Sequence, residues 1–207
     1  MERDYAPLPV RGLGPSAGFR RPTAPAAKRV TLESPALEVM TDLGRVAPAT
    51  IRPQAPLTGA NQFMIARGVR LLLVVDDQEN VLGLLTATDV LGERPLRVAG
   101  ERGLRRDELL VADVMTPAEQ VEAIELADLA GAHVGHVLET LRHSGRQHAL
   151  VVDYEALPPP RPLAPPARRT MVRGIFSASQ IARQLGVVVA PGTEVARTFA
   201  EIESAIR

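Results

Sequence analysis

Two short motifs in the sequence place a hydroxyl group three residues before a carboxyl or amide group, each where an apolar run gives way to a helical pattern. They are Thr86-x-x-Asp89 and Ser177-x-x-Gln180. In a capping box of this form, the first side chain accepts a hydrogen bond from the main-chain N–H three residues later, and the second accepts one from the main-chain N–H of the first residue. The spacing therefore predicts a capping box at both helix starts, which needs no ligand.

The same arrangement also suits the binding of a phosphorylated ligand. Exposed N–H groups and the positive end of the helix dipole favour a phosphate at a helix N-terminus, where the Thr86 hydroxyl can donate to a phosphate oxygen. The Asp89 carboxylate can accept short, charge-assisted hydrogen bonds from two neighbouring hydroxyls. Because Gln180 lacks that charge, we expect the first motif to bind the ligand and the second to be weak, empty or altered in specificity.

Both motifs lie within an internal repeat, which is visible as three pairs of similar segments. The pairs are 39–41 with 114–116, 73–76 with 150–153, and 81–90 with 172–181. The last spacing is longer because a Pro-rich insertion at 156–168 separates two strands of the second copy. Proline stiffens such a loop toward polyproline II and keeps it out of a sheet. The loop is a stiff exposed segment or, alternatively, a docking site for a partner that binds polyproline helices.

Each copy has the order strand, helix, strand, strand, helix. Apolar runs bounded by turn residues predict buried strands, the polar turn at 76–80 predicts a hairpin, and helical spacing of apolar residues predicts helices. The predicted strands are 49–52, 70–75, 81–85, 121–124 and 148–152, and the predicted helices are 57–67, 130–143, 194–206 and two that begin at 86 and 177. The predicted domains are an extended or disordered arm at 1–30, repeats at 31–95 and 108–190, and a C-terminal helix at 193–207.

The composition excludes several classes of protein and site. Among 207 residues, 24 basic side chains balance 24 acidic ones, which argues against nonspecific binding to nucleic acid or to a membrane surface. The absence of cysteine excludes disulfides, thiolate metal sites and cysteine nucleophiles. No apolar run reaches the roughly 20 residues of a membrane span, and the N-terminus lacks the apolar stretch of a signal peptide. We therefore expect a cytoplasmic protein.

These repeats resemble the tandem cystathionine-β-synthase (CBS) domain pair, also called a Bateman module. The resemblance is carried by the paired Val-Met-Thr segments, the Val-Val-Asp strand ends, and the heptapeptide 83–89, which matches the family pattern Gly, two apolar residues, Thr or Ser, two variable residues, Asp. It covers about residues 30 to 190 and, with no catalytic domain attached, suggests a stand-alone bacterial CBS-domain protein. It implies an α/β (α+β) fold in which two repeats pack pseudo-symmetrically through their sheets, with a cleft on each side.

The resemblance also implies that adenine nucleotides bind in the clefts. The implied site has the ribose at Asp89, the phosphate at the motif, and the adenine along an extended segment between apolar walls. The predicted ligand-binding residues are Thr86, Thr88, Asp89, Ala49, Thr50, Ile51, Val69, Arg70 and Leu71. The predicted residues of the weak second cleft are Val121, Ala123, Ser177, Ser179 and Gln180. Arg67 or Arg70 reaches a phosphate or, alternatively, is a solvated surface arginine.

The function expected from this resemblance is regulatory. The chain would sense AMP, ADP, ATP or S-adenosylmethionine, require no cofactor, form a homodimer through its helices, and act on an unidentified protein partner. We find no set of nucleophile, base and orienting residue, and so expect no enzyme activity. The alternatives are a structural or interaction module for dimerisation with vestigial clefts and an enzyme of an unrecognised type.

Three histidines fall on one side of the second long helical segment, namely His133, His136 and His143. They suggest either a metal site or an exposed or interface face that responds to pH. No carboxylate joins them at good spacing, so we predict no metal site.

Overall fold

Two four-stranded sheets form the centre of the molecule. The structure, a computed structural model, describes residues 30–157, 167–187 and 195–206. The strands are β1 (Thr41–Asp42), β2 (Thr50–Ile51), β3 (Leu71–Val75), β4 (Val81–Thr86), β5 (Thr116–Pro117), β6 (Ala123–Glu125), β7 (His148–Leu157) and β8 (Ala167–Ser177). The α-helices are α1 (Leu57–Arg67), α2 (Ala87–Leu91), α3 (Arg94–Arg102), α4 (Val111–Val114), α5 (Val134–Ser144), α6 (Ala178–Gln184) and α7 (Val195–Ile206).

The two sheets have the same topology. In the first, β2 pairs in parallel with β3, and β3 and β4 form an antiparallel hairpin. In the second, β6 pairs in parallel with β7, and β7 and β8 form the hairpin. The order strand, helix, strand, strand, helix therefore occurs twice, and the predicted mixed α/β fold is confirmed.

Each sheet is completed by a short strand that precedes the other repeat. β1 pairs with β8, so Thr41 lies opposite Ile175. β5 pairs with β4, so Thr116 lies opposite Leu84. An ion pair between Asp42 and Arg173 joins β1 to β8. The two Val-Met-Thr segments are therefore exchanged between the repeats, and residues 39–41, which the sequence places in the first repeat, pack against the second.

The strand β3 explains how the sheets face each other. All five of its residues are buried. Because side chains alternate between the faces of a strand, Leu72 and Val74 pack against α1 and its neighbours, while Leu71, Leu73 and Val75 pack toward the second repeat. A strand buried on both faces produces the uninterrupted apolar run in the sequence.

The helix α1 follows from the spacing of its apolar residues. Leu57, Ala60 and Met64 are buried on one face, and Gly68 ends the helix with a φ of 64°. Gly145 ends α5 with the same φ. Glycine adopts this left-handed conformation without steric penalty. Both turns lead directly into strands, so residues 69–71 and 146–148 come to lie at equivalent places between the sheets.

Several boundaries differ from those expected. The second long helix begins at Val134 rather than 130, because Gly131 has a φ of 80° and His133 is extended. The hairpin of the second repeat is longer, since the ladder runs to Leu157 opposite Ala167 and includes both ends of the predicted insertion. The tip at 158–166, the arm at 1–29 and residues 188–194 lie outside the described residues.

Candidate functional site

Two clefts lie between the sheets, and both repeats contribute to each one. The first cleft has a volume of about 230 Å³ and contains the Thr86-x-x-Asp89 motif. Its walls are Leu71, Leu84, Thr88, Thr116, Val121, Glu122, Gly145, Arg146, Gln147, His148 and Leu150. The motif therefore faces the turn and strand that follow α5, which belong to the other repeat.

The Asp89 side chain forms the predicted capping box. Its Oδ2 accepts a hydrogen bond of 2.8 Å from the Thr86 amide, and the Asp89 amide donates to Thr86 Oγ1 over 3.3 Å. The Thr86 hydroxyl also donates to Asp89 Oδ2, at 2.6 Å. Because that hydroxyl has a single hydrogen, Thr86 donates to Asp89 rather than into the cleft in this arrangement.

The second oxygen of Asp89 has a weaker partner. Arg94 Nη1 lies 3.4 Å from Asp89 Oδ1 and 3.4 Å from Thr116 Oγ1, while Arg94 Nη2 donates to the Met115 carbonyl at 2.9 Å. The side chains of Asp89 and Arg94 are 18% and 32% exposed. Asp89 thus lines an open cleft, with one oxygen held by the cap and the other only distantly contacted.

The structure does not bring together all of the residues predicted to bind the ligand. Leu71 joins Thr86, Thr88 and Asp89 in the first cleft, whereas Val69 and Arg70 line the second. Thr50 and Ile51 line a separate cavity beside Arg52 and Phe63. Ala49 packs against the core of the first repeat.

Residues of the second repeat occupy the places that these residues were expected to fill. Arg146, Gln147 and Glu122 were not predicted, and Val121 was predicted for the other cleft. One signal in the sequence could have identified part of this set. Gly145–His148 aligns with Gly68–Leu71 in the repeat. In the observed clefts, each of these segments faces the motif of the other repeat, so that 145–148 faces Asp89 and 68–71 faces Gln180.

The second cleft has a volume of about 350 Å³ and contains Ser177, Ser179 and Gln180. Its other walls are Thr41, Gly68, Val69, Arg70, Leu71, His148, Ile175 and Arg183. Ala123, predicted here, lines a different cavity of about 420 Å³ with Gly83, Val152 and Met171. That cavity adjoins the first cleft, with which it shares Val121 and Leu150.

The prediction of a capping box at Ser177 was wrong. The Ser177 side chain makes no cap hydrogen bond; its hydroxyl instead lies 3.1 Å from the Ser179 hydroxyl. Gln180 Oε1 accepts a hydrogen bond of 3.1 Å from Thr41 on β1. Both side chains of the expected box are therefore paired elsewhere, Gln180 with Thr41 and Ser177 with Ser179.

His148 lies between the two clefts and lines both of them. Burial, together with the positive charge of Arg70, lowers its pKa to about 4. The imidazole is therefore neutral near pH 7.

His133 and His136 contact each other at the start of α5, whereas His143 lies exposed in its last turn. The His133 amide donates to His136 Nδ1 at 3.0 Å, and the two rings stack with centroids 5.5 Å apart. In residues 30–157, 167–187 and 195–206, no three His, Asp or Glu side chains are grouped so that they could hold a metal ion. Within the same ranges, none of the helices has the length and apolar character needed to cross a bilayer.

Comparison with known proteins finds a family match in the first repeat. The CBS domain model matches residues 36–95, and no curated protein matches the sequence. An uncharacterized conserved protein from Pyrococcus horikoshii shares the fold, with a TM-score of 0.51 and 19% identity over 79% of this chain and 100% of its own.

Two further solved structures carry the CBS description. A CBS-domain-containing protein from Agrobacterium tumefaciens has a TM-score of 0.49 and 15% identity over 74% of this chain and 94% of its own. A CBS-pair protein from Arabidopsis thaliana, solved in complex with AMP, has a TM-score of 0.45 and 16% identity over 72% of this chain and 94% of its own. The CBS domain model thus matches the first repeat, and the topology of that repeat recurs in the second, an arrangement consistent with a tandem CBS-domain protein.

Proposed function

We propose that the first cleft binds an adenosine-containing ligand such as AMP, ADP, ATP or S-adenosylmethionine, and that the chain is a regulatory sensor. The observation that carries this proposal is the position of Asp89. Its Oδ2 is fixed by two hydrogen bonds from Thr86, so the carboxylate is held in one orientation on the wall of an open cleft. A ligand that binds a preorganised group avoids the cost of ordering it.

The ribose would bind at Asp89 Oδ1. Two vicinal hydroxyls can donate to a carboxylate in charge-assisted hydrogen bonds, and Arg94, at 3.4 Å from that oxygen, would have to move. Thr88 and Arg146 also line this cleft and would donate to a phosphate.

The adenine would lie between the apolar walls of the first cleft. Leu71, Val121 and Leu150 offer those walls. The cleft alone, at about 230 Å³, is smaller than the roughly 300–1,000 Å³ of most small-molecule pockets. The adjoining cavity of about 420 Å³ shares two of these walls and would accept the rest of the ligand.

Regulation would follow from the shared construction of the cleft. The motif belongs to the first repeat, and residues 145–148 belong to the second. A ligand that contacts both repeats favours arrangements in which they are close, and it shifts the population toward them only by its difference in affinity. A separate protein in the cytoplasm would read the changed surface, and the chain itself would catalyse no reaction.

A homodimer formed through the helices is part of the same proposal. Ile65 on α1, Leu91 on α2 and Leu96 on α3 are 72%, 60% and 64% exposed. Large apolar side chains exposed on neighbouring helices are typical of a surface that another protein covers.

A structural module with vestigial clefts is the second candidate. The observation that favours it is that both oxygens of Asp89 have partners within the protein, Thr86 and Arg94. In that case the motif would serve only to start α2.

Calorimetry and thermal-shift measurements with adenosine, AMP, ADP, ATP and S-adenosylmethionine would distinguish the sensor from the structural module. Asp89→Asn keeps an oxygen for the cap but removes the charge, which we expect to weaken binding by about 2–4 kcal/mol, or roughly 30- to 1,000-fold. A ligand that binds only the folded protein raises its melting temperature.

Asp113→Asn is the matched control. Asp113 Oδ2 accepts a hydrogen bond of 2.8 Å from the Leu110 amide, and its other oxygen pairs with Arg102. The Asp113 side chain is 15% exposed, close to the value for Asp89. It thus repeats the contacts of Asp89 outside both clefts, and its substitution should leave affinity unchanged. The sensor proposal is wrong if none of the five compounds stabilises the wild-type protein, or if Asp89→Asn binds adenosine as tightly as the wild type.

A further inference from the structure

The two clefts occupy equivalent places but differ in charge. The first is lined by the carboxylates of Asp89 and Glu122 and by one guanidinium, that of Arg146. The second is lined by two guanidiniums, those of Arg70 and Arg183, and by no carboxylate. The difference is not a property of the fold, since both clefts are built from the same elements of the repeat.

Three replacements between the repeats produce this difference. Asp89 is replaced by Gln180, and Gly92 by Arg183, at the same spacing along the chain. On the facing strand, Gln147 of the first cleft corresponds to Arg70 of the second. Each of these three replacements makes the second cleft more positive than the first, and together they outweigh a fourth in the opposite direction, that of Arg146 by Val69.

No described residue neutralises the cations of the second cleft. Among the described residues, neither Arg70 nor Arg183 forms an ion pair with a carboxylate. Arg183 Nε donates only to the main-chain oxygen of Ser179, at 3.4 Å. The residue that would correspond to Arg94, which contacts Asp89 in the first repeat, is Leu185.

The neutral polar groups of the second cleft add further donors. Gln180 accepts from Thr41 through Oε1, which leaves its NH₂ group able to donate. Ser177 and Ser179 share one hydrogen bond, so one of the two hydroxyl hydrogens is available to a ligand. Guanidinium, amide and hydroxyl donors together complement a group that carries several acceptor oxygens and negative charge.

We propose that the second cleft binds a di- or triphosphate group, and that it recognises the phosphate chain rather than a nucleoside. Its volume of about 350 Å³ is within the range of small-molecule pockets, about 300–1,000 Å³. Without a carboxylate, it has no charged acceptor for a ribose diol. The proposal does not depend on what binds at Asp89, because it concerns different side chains and a different chemical group.

His148 provides a reporter inside the protein. It lines both clefts, so Arg70 and Arg183 face it from one side and Arg146, Asp89 and Glu122 from the other. The charge of Arg70 contributes to its low pKa. An anion bound beside Arg70 offsets that charge, and the pKa of His148, followed by NMR of the imidazole, should therefore rise on binding.

The test is calorimetry with inorganic tripolyphosphate, ATP and adenosine on the full chain. We expect tripolyphosphate and ATP to bind, and both to bind Asp89→Asn as well, which isolates the second cleft. Arg70→Gln and Arg183→Gln should each weaken the binding of tripolyphosphate about tenfold or more. Arg97→Gln removes the same charge from an exposed position on α3 that lines neither cleft, and it should change the affinity for tripolyphosphate less than twofold.

Several results would overturn the proposal. One is the absence of tripolyphosphate binding, and another is ATP binding without tripolyphosphate binding, which would mean that the nucleoside is required. Equal losses in all three arginine variants, with no change in the pKa of His148, would indicate nonspecific attraction to a cationic surface. Adenosine binding that is lost in Asp89→Asn reports separately on the first cleft, so failure of one proposal is distinguishable from failure of the other.

Discussion

Arg94 Nη1 lies 3.4 Å from Asp89 Oδ1, while Nη2 of the same guanidinium donates a 2.9 Å hydrogen bond to the carbonyl of Met115. This side chain joins the start of α3 to the motif and to the segment that enters β5. Under the proposed function, a ribose at Asp89 would have to displace this guanidinium. Three elements that are separate in sequence meet at one guanidinium.

Replacing Arg94 should strengthen ligand binding in the first cleft. A ribose must displace the guanidinium from Asp89, and a partly exposed ion pair is worth up to about 1 kcal/mol. We expect Arg94→Gln to raise the affinity for adenosine about two- to fivefold, measured by calorimetry. A lower affinity would show instead that Arg94 contacts the ligand.

The two motifs should respond differently to loss of their hydroxyl groups. Thr86 caps α2 through its side chain, whereas Ser177 makes no such bond at α6. Thr86→Ala should therefore lower the free energy of unfolding by about 1 kcal/mol, and Ser177→Ala by less than about 0.5 kcal/mol. Urea denaturation of the two variants measures the difference, and equal losses would contradict the assigned contacts.

Two glycines at equivalent positions should differ in their tolerance of a methyl group. A Cβ on Gly83 would overlap the main chain of Thr116, and one on Gly174 would overlap the side chain of Met40. A methionine side chain can move and backbone in a sheet cannot. Overpacking typically lowers the free energy of unfolding by about 1–3 kcal/mol. We therefore expect Gly83→Ala to lower it by an amount in the upper part of this range and Gly174→Ala to lower it by less. The reverse order in thermal unfolding would contradict this.

His148 should make the protein less stable in mild acid. Its pKa is about 4 in the folded protein and 6.5 when unperturbed, so between these values the unfolded chain takes up a proton that the folded chain does not. The free energy of unfolding should then fall as the pH falls from 6.5 to 4, by roughly 2–3 kcal/mol in all. Above pH 6.5 both states are neutral and the effect disappears.

His148→Leu should remove this dependence. Leucine is the residue at the equivalent position, Leu71, and so suits the space between the sheets. His143, exposed on α5, gives the control His143→Leu, which should keep the wild-type slope. Urea titrations at several pH values compare the three proteins. If the free energy of unfolding of His148→Leu falls with pH as steeply as that of the wild type, protonation of carboxylates rather than of His148 causes the loss of stability.

The sequence predicted those features that depend on neighbouring residues. The bounds 57–67 of α1 and the hairpin around 76–80 agree with the structure, because apolar spacing, Gly68 and the polar turn are local signals. The contacts between Thr86 and Asp89 were predicted for the same reason. The helix α3 was not predicted, since it is rich in charged residues and only Pro95 and Ala99 are buried along its length.

The walls of the clefts were the least predictable part. Val69 and Arg70 follow α1 in the chain and were expected beside Asp89, but they line the cleft of Gln180. Which turn faces which motif depends on how the two sheets meet, and that is decided by contacts such as Leu71 and Leu73 with Leu150. The contact of Gln180 with Thr41 on β1 likewise depends on the exchange of that strand between the repeats, which no local signal around Gln180 indicates.

The exchange of β1 and β5 has a consequence for dividing the chain. A break after Gly103 would give an N-terminal fragment that lacks β5, the partner of its own β4. The C-terminal fragment would lack β1, the partner of its own β8. The N-terminal fragment would also lose Leu109, Val111 and Val114, which fill its core. We expect neither fragment to fold alone and the two to fold on mixing, as far-ultraviolet circular dichroism would measure. Each half of this protein thus needs strands or core residues of the other half in order to fold. Folding of a split version would therefore report on the association of the two fragments.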